Sequence, residues 1–414
     1  MRRVVITGLG ALTPIGNSVS AYLEGLQQGR SGANRITRFD PKLFKTQFAC
    51  ELKDFDPTDF IDRREVRRLD AFTIYALVAA AEAVEHAEVD IEKLNPERSG
   101  VIWASGIGGL RSLEEEIEYN TNSETPRYNP FMIPKMISNM GAGHISMKYG
   151  LRGPSYGTVS ACASTGHALG AAADDIRLGR TDFMIVGGSE ASVTKVGIGG
   201  FSAMKALSTR NDDFATASRP YDADRDGFVL GEGAGALILE ELEHAKARGA
   251  TIYAELLGYA ASSDAYHITA PHPEGLGAAA CMRDALRYAG VTTADIDYIN
   301  THGTSTPLGD VAELKAIQQV FGQDVYDLNI SSTKSMTGHL LGAAGAIENI
   351  ACILAIQHKF VPPTINHFTD DPNIDPKLNL TFNEAQEREV KVALSNTFGF
   401  GGHNSAAIFK RFEG

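Results

Sequence analysis

Short apolar runs alternate with segments of helical periodicity along this chain, and that alternation narrows the possible folds more than any other feature. The runs cover residues 4–7, 100–104, 183–187, 235–240, 253–258, 298–300, 329–331 and 406–409. Several are continuously apolar, which predicts strands covered on both faces. Between them, Leu69, Phe72, Ala76, Ala79 and Ala83 share one face at 3.6-residue spacing, and a second helical pattern starts after Cys162 and runs through residues 168–176. Strands separated by helices predict an α/β fold with a largely parallel or mixed sheet.

The 414 residues suit one large α/β unit or two to three domains. No low-complexity linker divides them and no repeat stands out. A charged helical stretch ends at Gly249, so the expected division is 1–250 and 251–414. A net charge of −13 argues against nucleic acid as the main partner, because phosphate binding needs a basic footprint. The four cysteines, Cys50, Cys162, Cys281 and Cys352, lie far apart with no CxxC pair. Neither a zinc site nor a disulfide framework is suggested, and a reducing, cytoplasmic setting is expected. Arg2 and Arg3 precede an apolar run that Thr7, Gly8, Gly10, Thr13 and Pro14 interrupt, which predicts a first strand in place of a signal peptide. No stretch approaches the ~18 apolar residues of a membrane span.

Four segments carry candidate chemistry. In SYGTVSACASTGHALGAAADDI a β-like run enters small residues and then a helix, with Cys162 at the corner. The positive end of a helix dipole favours thiolate over thiol, and Ala161, Ala163, Ser164 and Gly166 leave room for a substrate. A buried structural cysteine fits the segment as well. In YINTHGTSTPLGD, His302 sits just past a strand end, where active sites of α/β sheets collect. Thr304, Ser305 and Thr306 add hydroxyls, and Asp310 is expected to cap a helix carrying Glu313; a turn histidine is the competing reading. In SSTKSMTGHLLGAAGAIENI, Lys334 and His339 follow another strand, and a glycine-rich helix carrying Glu348 is expected from residue 338. In SNTFGFGGHNSAAIF, residues 398–402 read as a loop able to turn backbone N–H groups toward an anion, or as a plain glycine turn.

Three look-alikes fail. Gly8-Leu-Gly10 follows a strand but lacks the third glycine of a dinucleotide loop. Asp222, Asp224 and Asp226 begin like a calcium loop whose twelfth position would be Gly233 in place of glutamate. No phosphate-binding GxxxxGK[ST] occurs.

Taken together the segments resemble the β-ketoacyl-[acyl carrier protein] synthases, most closely the elongating type, synthase II. The resemblance runs nearly end to end and is carried by VVITGLGALTPIG, SACAS, SRPYDADRDGFVLGEGAG, SSDAYH, THGTSTPLGD, SSTKSMTGHLLGAAGA and FGFGGHN. Thr301 stands where the family more often has alanine; it precedes the histidine without replacing it. The resemblance implies a thiolase-like α/β fold, two related halves stacked in α-β-α-β-α layers, as a homodimer.

It also implies an acyltransferase of fatty acid biosynthesis that needs no cofactor and no catalytic metal. Cys162 would take an acyl chain from acyl carrier protein; His302 and His339 would hold the malonyl thioester during loss of CO₂. The N–H groups of Cys162 and Phe400 would form an oxyanion hole, with Lys334 and Glu348 ordering the histidines. Thr304 and Thr306 would bind pantetheine. Ile107, Phe131, Phe201 and Phe400 would bound or gate the acyl pocket, with Phe398 beside them. Arg64, Arg67 and Arg68, with Lys205 and Arg127, would dock the acidic carrier protein, although a run of charges is also an ordinary solvated helix face. Relatives sometimes hold a structural monovalent cation near residues matching Asn300, Glu348 and Asn396. His339 separates the chain from the initiating class, which uses asparagine there. A synthase I type, a polyketide ketosynthase, a CoA-dependent thiolase and a non-catalytic scaffold are the competing readings. The missing C-terminal cysteine weighs against the thiolase, and the intact Cys162 weighs against the scaffold.

Overall fold

The computed structural model describes residues 2–121 and 123–414. Ten strands build one mixed sheet: β1 (Val4–Leu12), β2 (Ser99–Ala104), β3 (Ser155–Thr158), β4 (Phe183–Glu190), β5 (Gly233–Glu241), β6 (Ala254–Ser263), β7 (Tyr298–Asn300), β8 (Asn329–Ser331), β9 (Val392–Gly399) and β10 (His403–Lys410). Their spatial order is β8-β7-β9-β10-β6-β1-β5-β4-β2-β3. The seam between β1 and β6 is narrow, made by the pairs Val5↔Glu255 and Ile6↔Ala254. On each side of it the connectivity is the same. The first strand pairs antiparallel with the fifth, the fifth antiparallel with the fourth, and the remaining two add in parallel. The topology therefore repeats where the sequence shows no repeat.

Five helices cover the sheet: α1 (Ala71–His86), α2 (Ser164–Arg177), α3 (Leu276–Ala289), α4 (Pro307–Phe321) and α5 (Ala344–His358). Residues of α2 and α5 share one core with Ile102, Val186 and Leu237 of one half and Tyr298, Ala393 and Phe409 of the other. They form the middle layer. Helix α1 packs on the outer face with Trp103, Phe183, Ile185 and Ile238, while α3 and α4 pack with Ile299, Leu394 and Ile408. The result is the α-β-α-β-α stack. Leu341–His358 is apolar and long enough to pass for a membrane span, with a mean hydropathy of 1.3, but it is the buried middle of this stack.

Asp70 caps α1 by accepting the Phe72 N–H at 3.1 Å. The expected single apolar face is wider than the spacing suggested, since every residue from Phe72 to Ala80 is buried. Glycine lets β1 approach the helix. A Cβ at Gly8 would lie 2.3 Å from the Ala83 carbonyl oxygen, and one at Gly10 would lie 2.0 Å from that of Ala79. The glycine pair that mimics a nucleotide loop is thus a packing device.

Three local expectations need correction. Residues 398–402 are not a loop preceding a strand: Phe398 and Gly399 end β9, and only a tight turn separates it from β10. The helix expected from residue 338 begins at Ala344, after a short helix Lys334–Thr337 and a 3-10 turn Leu341–Ala343. Thr306, not Asp310, holds the N-cap position of α4. Asp310 lies inside the first turn, and its carboxylate accepts the N–H groups of Ser305 and Tyr221.

Candidate active site

The repeated topology sends four chain segments to one place. Cys162 follows β3, His302 follows β7, His339 follows β8, and the Phe400 turn closes β9 on β10. The corner before Cys162 is strained: Ala161 holds φ at 50°, inside a bridge between Ser160 and Cys162. Such a conformation costs about 1–3 kcal/mol and persists where neighbours over-determine it. Here Ser164 Oγ donates to the Ala161 carbonyl at 2.6 Å and accepts the Ser160 N–H at 2.8 Å. The end of β9 presses against the same corner, where a Cβ at Gly399 would sit 3.0 Å from the Cys162 nitrogen. Phe400, in the turn that follows, lines the same cavity as Cys162.

Both histidines are held by their main chains. His302 and Gly303 donate their N–H groups to the two oxygens of Glu313, each at 2.8 Å. His339 donates its N–H to the Val229 carbonyl at 2.8 Å and accepts from Gly231 at 2.9 Å. This places His339 Nε2 3.0 Å from Cys162 Sγ. The two imidazoles meet edge to face, centroids 5.3 Å apart at 84°, and Phe228 packs at 77° against the outer side of His339. Lys334, 1% exposed, forms a buried ion pair with Glu348 on α5.

Burial dominates the electrostatics. It pushes the Cys162 thiol up to about 12, against the Lys334 charge and the Phe400 N–H that pull it down. The expected dipole-stabilised thiolate is therefore overruled: the resting group is a thiol beside His339. Burial, with the Lys334 charge, holds both imidazoles well below 6.5. They are neutral and can each offer an N–H. Ligand atoms of Cys162, His302 and His339 lie within 4.8 Å of one another, the makeup of a metal set. The Lys334 charge that lowers both histidines opposes a divalent cation there.

Burial also raises the Glu313 carboxyl to about 7. Protonating it would set an O–H against an N–H donor and loosen the His302 main chain. Condensation is accordingly expected to fall as pH drops through about 7. Glu313→Gln, which copies the protonated form, should remove that limb and leave a uniformly lower rate. A wild-type rate flat from pH 8 to 6 would contradict this.

A cavity of about 560 Å³ opens over these groups. Among the residues singled out from sequence, Ile107, Phe201, Lys205, Thr304, Thr306, Phe398 and Phe400 line it. Thr304 and Thr306 share a hydroxyl hydrogen bond of 3.0 Å. Phe131 does not line it. That ring is 40% exposed with the Arg68 guanidinium 5.3 Å above it, so its expected pocket role is not met within one chain. Arg64, Arg67, Arg68, Arg127 and Lys205 are exposed, and among the described residues none of them forms an ion pair. Phe228, Met204 and Asp264 line the cavity without having been identified from sequence. Phe228 lay in a quoted motif, DGFVLGEG, but an aromatic there carries no periodic signal. Asn300 Oδ1, Glu348 Oε2 and Asn396 Oδ1 are buried without hydrogen-bond partners, a set of hard oxygen donors that fits a monovalent cation.

A five-layered α/β stack with a cysteine and two histidines meeting at its centre is the arrangement of thiolase-like ketosynthases. Residues 1–245 match the family described as beta-ketoacyl synthase, N-terminal domain, and residues 253–368 match its C-terminal domain. The chain belongs to the beta-ketoacyl synthase family. It is 49% identical over 412 residues to 3-oxoacyl-[acyl-carrier-protein] synthase 2 of Staphylococcus aureus (strain COL), covering 100% of this chain and 99% of that one. Among solved structures, a beta-ketoacyl synthase from Burkholderia phymatum superposes with a TM-score of 0.92 at 36% identity, both chains covered in full. A type II polyketide ketosynthase in complex with its acyl carrier protein superposes with a TM-score of 0.91 at 35% identity, again over 100% of both chains.

Proposed function

We propose that this chain elongates acyl chains in fatty acid biosynthesis as a 3-oxoacyl-[acyl carrier protein] synthase of type 2. The observation that carries the reading is the thiol of Cys162 3.0 Å from a neutral His339, facing a cavity that His302 and Phe400 also line. Full-length identity of 49% to a synthase 2 supports it.

The chemistry follows from the geometry. The Cys162 sulfur attacks the acyl thioester while its proton passes through His339 to the departing pantetheine sulfur. The Cys162 and Phe400 N–H groups take the oxyanion, a contribution of about 10²–10³ in rate per donor. Malonyl carrier protein then enters. His302 and His339 donate to its thioester oxygen as the C–C bond to CO₂ breaks and its electrons form an enolate. The enolate carbon attacks the acyl-cysteine carbonyl, the C–S bond breaks, and the leaving thiolate takes a proton from solvent, the one proton the overall condensation consumes. The product is a 3-oxoacyl chain two carbons longer. Asn300, Asn396 and Glu348 would hold a monovalent cation that balances charge in the buried layer and takes no part in these steps.

Carrier protein docking is assigned to Arg64, Arg67, Arg68, Arg127 and Lys205, which offer exposed positive charge on an acidic chain. Charge reversal at Arg67 and Arg68 should raise KM for acyl carrier protein roughly tenfold while alkylation of Cys162 by a small reagent stays unchanged. An unmoved KM would remove these residues from the interface. The assembly is assigned as a homodimer in the cytoplasm. Strand β3 is a free sheet edge, with Tyr156 43% and the adjacent Val159 60% exposed, and a second copy pairing there would cover it. Tyr156→Lys with Val159→Asp should yield monomers by light scattering; dimers would place the interface elsewhere.

The deciding experiment is intact-mass spectrometry with carrier proteins bearing C12, C14 and C16 chains, followed by malonyl carrier protein. A Cys162 adduct that disappears as a longer 3-oxoacyl product forms is the expected result. No adduct from any carrier, with Cys162 still open to small alkylating reagents, would favour a polyketide or CoA-dependent substrate.

A further inference from the structure

Glu190 ends β4 with no solvent exposure, and among the described residues no cation pairs with it. Its carboxylate is held by neutral donors alone. One oxygen accepts the Gly106 N–H at 2.7 Å and the Gly342 N–H at 3.0 Å. The other accepts the Ile107 N–H at 3.1 Å and the hydroxyls of Ser105 at 3.2 Å and Ser192 at 3.4 Å. Removing a carboxylate from water is costly, so a buried anion of this kind holds its donors firmly in place. Two of the segments it joins line the cavity. Ile107 is one wall, and Leu341, held at φ 48° beside Gly342, is another. Thr165, three residues past the nucleophile, donates to the Gly342 carbonyl at 2.5 Å. The clamp thus fixes the Ile107 wall relative to the helix that follows Cys162.

We infer that Glu190 is a specificity-setting positioning residue: its carboxylate pins the Ile107 main chain and thereby fixes how long an acyl chain the site accepts. The inference rests on the proposed function, in which Ile107 bounds the acyl pocket. The donor arithmetic gives a selective test. A glutamine at this position keeps one acceptor oxygen and turns an NH₂ toward the other pair of contacts. With the oxygen toward Gly106 and Gly342, the Ser105 and Ser192 hydroxyls can rotate to accept, but the Ile107 N–H has no such freedom and loses its acceptor. Glu190→Gln should therefore free Ile107 while keeping the rest of the clamp.

The measurement is the ratio of kcat/KM for C16- against C10-loaded acyl carrier protein in wild type, Glu190→Gln, Ile107→Ala and the double variant. Glu190→Gln should raise the ratio roughly fivefold or more, the scale of one lost buried acceptor. The double variant should show no shift beyond that of Ile107→Ala. A merely structural role would lower both kcat/KM values together and leave the ratio alone. Should Glu190→Gln not fold, Ser105→Ala replaces it, because the Ser105 oxygen accepts the Gly108 N–H at 3.0 Å and anchors the same turn from its other side. If Ile107→Ala moves the ratio and neither clamp variant does, the inference is overturned. If Ile107→Ala itself leaves the ratio unmoved while condensation continues, the pocket role of Ile107 falls, and the role of Glu190 in specificity with it.

Discussion

Cys162→Ala is expected to abolish the acyl-enzyme and to reduce condensation by roughly 10⁴–10⁶-fold, the scale seen when a nucleophile is removed from a catalytic unit. No neighbour can substitute. Ser164 Oγ is committed to the Ala161 carbonyl and the Ser160 N–H, and Ser160 Oγ to His167 Nδ1 at 2.6 Å. The loss should nevertheless be confined to acyl transfer. The donors that stabilise the malonyl enolate are His302 and His339, whose main chains are held by Glu313 and by Val229 and Gly231 without any contribution from the sulfur. The variant should therefore still release CO₂ from malonyl carrier protein, with an acetyl carrier protein as product. Formation of 3-oxoacyl product by this variant at close to the wild-type rate would remove Cys162 from the mechanism. Absence of CO₂ release from a folded variant would show that the histidines need the thiol to bind the malonyl group.

The strands and helices that dominate this fold were legible because buried strands of continuous apolar residues leave a plain signal. Each run read from sequence coincides with a strand of the main sheet, Tyr253 alone falling one residue outside its strand. Strand β9 leaves no apolar signal because Ser395, Asn396 and Thr397 are buried polar residues, so its middle reads as a turn. The start of α5 was set too early because glycines at 338, 342 and 345 allow helix and tight turn alike. Tertiary contacts decided: His339 is drawn into a bridge with Leu230, a partner more than a hundred residues away. The same limit applies to the site. Cys162, His302 and His339 lie at strand ends, which marks them, but their meeting depends on the repeated topology of two halves with no visible repeat. The thiol state departs from the sequence expectation for a physical reason. A helix dipole is worth at most about 2 kcal/mol, less than the desolvation of a buried thiolate. Phe131 was placed by resemblance alone, and nothing in a single chain brings it to the cavity.

Lys334 and Glu348 offer the sharper separation of stability from function. Each is about 1% exposed, and among the described residues they form an ion pair only with one another. Lys334→Met leaves the Glu348 carboxylate buried beside an apolar chain, and breaking such a pair costs about 3–5 kcal/mol. For a protein of this size that is a large share of its stability, so the single variant should melt many degrees lower or fail to accumulate. Replacing both partners, Lys334→Met with Glu348→Leu, removes the stranded charge and should recover most of the loss, because an apolar pair of similar volume is often as stable as a buried ion pair. Activity should not follow stability. The Lys334 charge lowers both imidazoles and helps draw down the Cys162 thiol. Without it the histidines titrate closer to the ordinary range and the thiol becomes harder to ionise. The double variant is therefore expected to regain its melting temperature while remaining slow both in Cys162 alkylation and in condensation. Thermal melts beside alkylation rates from pH 6 to 9 separate the two effects. Full recovery of both stability and activity would reduce the ion pair to a packing element, and continued instability of the double variant would show that the middle layer needs the charges themselves.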